Sequence, residues 1–159
     1  LNEYKNYNHY DFQGSTWAPH LIHKQIWEKI GGFSEEFSPG TGSDPDLNMK
    51  LWKIGVRIFK GISNSRVYHF GSISLRKKIW NDGHKIFLRK WGISIKFFKK
   101  YYLKSHENYN GQLKEPNMSI SLILSYVVCK LKLSFCPYKL FGITEIVWNP
   151  YCSVYFLHI

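Results

Sequence analysis

The stretch GGFSEEFSPGTGSDPDLNMKLWKIG, residues 31–55, leaves this chain little local freedom. Gly31-Gly32 stops whatever precedes it, and a Gly/Ser/Pro-rich run delays the next regular element until Asp44. Asp44 then reads as a helix N-cap and Pro45 fits the first helical position. Leu47, Leu51 and Ile54 form one apolar stripe, Lys50 and Lys53 fall on the other side, and Gly55 ends the segment. The spacing predicts a short helix that opens on two acids, Asp44 and Asp46. A cap and a first-turn acid together are worth about 1–2 kcal/mol, but a cap needs only one of them. Residues two apart on a helix project to nearly opposite sides, so one carboxylate can cap while the other faces a cleft. Two acids there would repel the phosphates that bare helix N–H groups attract. They suit a divalent cation, or a hydroxyl that must lose its proton.

Around this helix the pattern alternates between short strands and helices. Residues 1–10 are polar, rich in tyrosine and without a period, which predicts a loop. DFQGSTWAP (11–19) reads as a short strand closed by Pro19. Ile22, Ile26 and Ile30 then mark an amphipathic helix with Gly31 as its C-cap. VRIF (56–59) and SRVYHF (65–70) read as strands separated by a turn around Gly61. Residues 76–91 read as a basic helix with Trp80, Phe87 and Trp91 near its apolar side, and 94–103 as a shorter helix. Residues 104–118 read as a connecting loop. From 119 the period is helical (Ile120, Ile123, Val127, Leu131), turns to alternation in KLKLSF (130–135), and ends aromatic and irregular.

A chain of 159 residues suits one domain with a real core, and 44% hydrophobic with 21% charged residues excludes wholesale disorder. The net charge of +11 and the 18% aromatic content point to an anionic partner or to ring-lined pockets, without choosing among them. Three cysteines without metal-ligand spacing read as reduced thiols of a cytosolic protein. No signal peptide opens the chain, and its most apolar run, Ile120 to Cys129, is shorter than the roughly 18 residues a membrane span needs. The first residue is Leu1, and no strand–turn–helix unit opens the chain, so the expectation is a fragment whose beginning is missing. Three stretches result: 1–80 around the acidic helix, a basic aromatic extension over 81–118, and an apolar tail over 119–159.

His69 ends the second predicted strand and is followed by FGSISLRKK, a Gly/Ser segment that runs into Arg76-Lys77-Lys78. A neutral imidazole can ligate a metal, and small residues leading to cations can close over a diphosphate. A histidine hydrogen-bonded in the core and a solvated basic surface account for the same residues. With these elements in place, residues 31–78 resemble the C-terminal half of the catalytic domain of family 2 glycosyltransferases, GT-A-fold enzymes that use nucleotide-diphosphate sugars. Gly31-Gly32-Phe33 with Glu35 and Glu36 match that family's Gly-Gly-Phe with nearby acid. Gly42-Ser43-Asp44-Pro45-Asp46-Leu47 match its Gly-Glu-Asp-x-Asp-Leu segment, with Ser43 in place of the usual Glu. His69-Phe70-Gly71-Ser72 match its strand-end His with Gly and Ser. The match covers roughly residues 11–80, FLRKWGIS (87–94) also looks family-like, and the last forty residues carry no resemblance.

The resemblance implies an α/β fold: the acceptor-side half of a GT-A mixed sheet with flanking helices, followed by a C-terminal helical extension. It implies an inverting transfer of a sugar from a nucleotide sugar to a carbohydrate or lipid-linked hydroxyl acceptor in polysaccharide or glycolipid synthesis. Asp44 would be the base and Asp46 a supporting or capping residue. Trp17, Phe33 and Glu36 would line the acceptor pocket, and Arg76 and Lys77 would contact the diphosphate. His69 would complete the coordination of Mn²⁺ or Mg²⁺, whose main Asp-x-Asp ligands belong to a nucleotide-binding half not found upstream of Trp17. No nucleic acid partner is expected, and the protein would be cytoplasmic or peripheral at the inner face of the membrane. Two rivals stay open on composition alone: a basic aromatic nucleic-acid-binding module, and a membrane-surface domain built on the basic helices and the apolar tail.

Overall fold

The computed structural model describes residues 10–16, 19–65 and 81–135. Within them the protein is mixed α/β, with five α-helices and one two-stranded antiparallel sheet. Strand β1 (Phe12–Gln13) pairs with β2 (Lys60–Gly61), with Phe12 opposite Gly61. β1 is shorter than the sequence pattern predicts, and β2 falls where that pattern predicts a turn; all but the first residue of the strand expected over 65–70 lies outside the described residues. A β-carbon on Gly61 would stand 2.4 Å from the Phe12 ring, so the glycine belongs inside the sheet, under that ring, and not to a turn. The turn follows it instead, closed by Ser65 N–H donating to the Ile62 carbonyl at 3.2 Å, and Val56–Phe59 makes no ladder.

Helix α1 (Lys24–Ile30) is capped by His23, whose Nδ1 accepts from the Gln25 N–H, and ends on left-handed Gly31. Ile22, Ile26 and Ile30 pack against the core as their spacing requires. A 3₁₀ turn (Glu35–Phe37) and the Gly/Pro loop lead into α2 (Ser43–Lys53). Here the expected cap is corrected. The N-cap is Gly42, not Asp44, because Gly42 adopts φ 102°, a left-handed conformation that lets the helix start two residues earlier. Asp44, Pro45 and Asp46 all fall in the first turn, where a proline loses no helical hydrogen bond. Leu47 and Leu51 are buried while Ile54 is partly exposed.

Helix α3 (Gly83–Trp91) starts at Asp82, whose carboxylate accepts from Lys85 N–H, and ends on left-handed Gly92. The basic helix expected over 76–91 therefore does not run through Asn81 and Asp82; the polar cap sets a later start, and residues 76–80 lie outside the described residues. Helix α4 (Ile95–Phe97) continues as a π-helical segment (Phe98–Tyr102). The connecting loop carries no helix up to Ser119, which caps α5 (Ile120–Ser134). The alternation read in KLKLSF is overturned. The helix runs through Ser134, because Leu133 packs on the core and Leu131 continues the helical period.

One hydrophobic core joins these elements: Phe37, Leu47, Phe87, Phe98 and Leu103 are essentially solvent-free. Each such side chain contributes about 1.5–3 kcal/mol through burial. Trp52 forms the aromatic centre, with Tyr102 edge-on at 5.3 Å, Phe59 stacked at 6.3 Å and the Arg57 guanidinium 3.9 Å over its ring. No helix among the described residues is long and apolar enough to cross a membrane.

Candidate functional site

The first turn of α2 lies against the end of α3, and a buried carboxylate joins them. Asp46 is 0% exposed. Its Oδ1 accepts from Trp91 Nε1 at 2.7 Å and stands 2.9 Å from Lys90 Nζ; its Oδ2 accepts from Ser34 Oγ at 2.7 Å. A carboxylate so far from water is tolerated only when it is paired and hydrogen-bonded, as here. Lys90 Nζ also donates to Ser34 Oγ at 2.9 Å and to Glu36 Oε1 at 2.6 Å. Lys50, one turn after Asp46, donates to the Gly32 carbonyl at 2.9 Å and keeps its ammonium 3.9 Å from Asp46 Oδ2. Burial pulls the Lys50 pKa below its ordinary value; Asp46 opposes that shift and Lys90 adds to it.

This cluster holds the Gly-Gly-Phe loop, the 3₁₀ turn and the opening of α2 in one arrangement. Asp44 is half-buried in the same helical turn. Phe33 is 45% exposed and stands between two shallow clefts of about 330 Å³ each. One cleft is walled by His20, Ile22 and Trp27, with Trp27 edge-on to Phe33 at 5.4 Å and His20 at 6.1 Å. The other is walled by Ser34, Pro39, Gly40 and Ser43, the residue before Asp44. The volumes sit at the small end of the range for small-molecule sites. A half-exposed ring between two clefts offers a stacking face to an apolar or sugar ring.

Of the expected site residues, the structure brings Phe33, Glu36, Asp44 and Asp46 to the same end of α2. Glu36 is tied to Lys90 in addition to facing solvent. Asp46 is the buried anchor of this end of α2. Trp17, His69, Arg76 and Lys77 lie outside the described residues. Among the described residues no three His, Cys, Asp or Glu side chains converge on one point; His69, the metal ligand the resemblance implies in this chain, lies outside them. Ser34, Lys90 and Trp91 were not anticipated. The available signal is the buried acid itself, since a carboxylate on the inner side of a helix demands cationic or N–H donors from elsewhere. No family model, curated protein or solved structure matches the chain.

Proposed function

We propose that this chain is the acceptor-side half of a GT-A glycosyltransferase of the family 2 type, transferring a sugar from a nucleotide-diphosphate sugar to a hydroxyl acceptor. The observation that supports the reading is the different placement of the two acids of α2: Asp46 is buried against Trp91, Lys90 and Ser34, while Asp44 is half-buried in the same turn and follows Ser43, which lines a cleft edged by Phe33. Asp46 is fully buried and so shielded from a substrate hydroxyl, whereas Asp44, two residues earlier, keeps part of its surface in solvent.

In this reading the acceptor sugar or lipid-linked sugar stacks on Phe33, with Trp17 as a second ring. Its hydroxyl oxygen attacks the anomeric carbon as the bond from that carbon to the diphosphate oxygen breaks, and the configuration inverts. The hydroxyl proton passes to the Asp44 carboxylate. Glu36, oriented by Lys90, accepts a further acceptor hydroxyl. Arg76 and Lys77 would contact the departing diphosphate, and His69 would help to hold a divalent cation that neutralises its charge.

The test is turnover of the intact polypeptide against UDP-, GDP- and TDP-linked hexoses, read as release of nucleoside diphosphate. Asp44→Asn is expected to lower turnover by about 10²–10⁴-fold with donor affinity unchanged. Near-normal turnover in that variant removes Asp44 from the role of base.

A further inference from the structure

Helix α5 is largely apolar on both its packed and its exposed face. Its inner face, carrying Leu122, Cys129 and Leu133, packs on the body of the protein. That docking is fixed by two polar contacts and a ring contact: Tyr101 Oη lies 2.8 Å from Ser125 Oγ and donates to the Ser121 carbonyl at 3.0 Å, and the Phe97 and Tyr126 rings meet at 6.0 Å. The outer face is Ile120, Ile123, Leu124, Val127, Val128 and Leu131. At 100° per residue these six span one continuous arc. Ile120 is 78% exposed, Leu124 62% and Leu131 54%. Lys130 and Lys132 fall on the two margins of this arc, and no Asp or Glu occurs between Glu115 and Glu145. Scattered apolar residues are normal on a surface; a contiguous arc of six is the mark of an interaction face.

The charge pattern selects the partner. An apolar stripe bordered by lysines on both sides, in an acid-free segment of a +11 chain, complements a surface that offers hydrocarbon below a sheet of negative charge. At 15 residues the helix is too short to span a bilayer, so it would lie in the interface plane. We infer that the outer face of α5 seats the protein on an anionic lipid surface, with Ile120, Leu124 and Leu131 entering the acyl boundary and Lys130 and Lys132 at headgroup level. This inference is independent of the proposed sugar transfer.

The experiment is flotation of the full chain with vesicles of phosphatidylcholine alone and of phosphatidylcholine mixed with phosphatidylglycerol. The chain should float with the mixed vesicles. Leu124→Glu and Leu131→Glu, at exposed positions that leave the docked face untouched, should each weaken partition roughly tenfold or more. Lys130→Gln and Lys132→Gln should each weaken binding to the anionic vesicles about fivefold and erase the preference over phosphatidylcholine. Equal flotation of the parent chain and the two Leu→Glu variants overturns the proposal, as does failure of the parent chain to float. Two further results also overturn it: a lipid-free dimer that Leu131→Glu converts to monomer, and amide-exchange protection of α5 that disappears on removal of residues 136–159. These would assign the face to a second copy or to the chain's own terminus.

Discussion

Trp91 Nε1 and Asp46 Oδ1 meet at 2.7 Å across 45 residues of sequence. The residue before that tryptophan, Lys90, brings its ammonium to the same oxygen. Two consecutive side chains at the end of α3 thus converge on one oxygen atom in the first turn of α2. The indole donor fixes direction and the ammonium supplies charge, so the joint resists both rotation and separation.

Removing the carboxylate leaves the Trp91 indole N–H without its acceptor and takes the buried anion from the partly buried Lys90 ammonium, which keeps only Ser34 and the exposed Glu36. Asp46→Ala is expected to lower the unfolding free energy by about 3–5 kcal/mol, measured by urea denaturation. A loss below about 1 kcal/mol, the range of exposed ion pairs, would show that the cluster does not act as a buried one. A cycle with Lys90→Met should give a coupling of about 0.5–3 kcal/mol.

Gly83, the first residue of α3, passes so close to the loop before α2 that an added β-carbon would stand 1.5 Å from the Thr41 carbonyl oxygen. Backbone cannot yield as a side chain can. Gly83→Ala is therefore expected to cost about 3 kcal/mol or more. Gly55 at φ 93° has open space around it, so Gly55→Ala should cost only the left-handed penalty of about 1–2 kcal/mol. Thermal or urea unfolding of the pair separates crowding from conformation, and equal losses would refute the close approach.

Asp11 anchors the start of β1 to the far side of the sheet. Its carboxylate accepts from Lys60 Nζ at 2.7 Å and from Ser63 N–H at 2.8 Å. The Lys60 hydrogen bond, followed by those from Ser63, lowers its pKa from 3.8 to about 2. A depressed acid stabilises the fold above its unfolded pKa and loses that contribution as pH falls through its folded one. Stability should therefore fall between pH 3.8 and about 2, and Asp11→Asn should flatten that part of the curve. An NMR titration placing the Asp11 carboxyl near 3.8 would contradict it.

Phe33 is half in water, so Phe33→Ala should change the unfolding free energy by no more than about 0.5 kcal/mol. If its ring receives the acceptor, the acceptor KM should rise about tenfold while kcat changes little. A stability loss with KM unchanged would make the ring a structural one.

Much of the helical framework is readable from the chain because its signals are local. The isoleucine spacing and Gly31 define α1, and the apolar run after Asp44 defines α2. Ser119 and the period that follows define α5. The errors arise where a distant residue decides. Nothing near Gly61 announces that the Phe12 ring will lie over it, and nothing near Leu133 announces that the core will claim it and keep the helix wound. The acids of α2 were legible as a pair with different surroundings, but the partners that bury Asp46 were not. The donors that hold Asp46 come from Ser34, Lys90 and Trp91, 12 to 45 positions away, and periodicity cannot encode a meeting across that distance.

Lys50 and Lys90 stand against Glu36 and Asp46, two cations for two anions, so the joint at the head of α2 is an electroneutral knot in a strongly cationic chain. Salt screens the long-range repulsion among the surplus lysines and arginines far more than it weakens short, partly desolvated pairs. Raising ionic strength should therefore relax the chain's self-repulsion while leaving its central fastening in place.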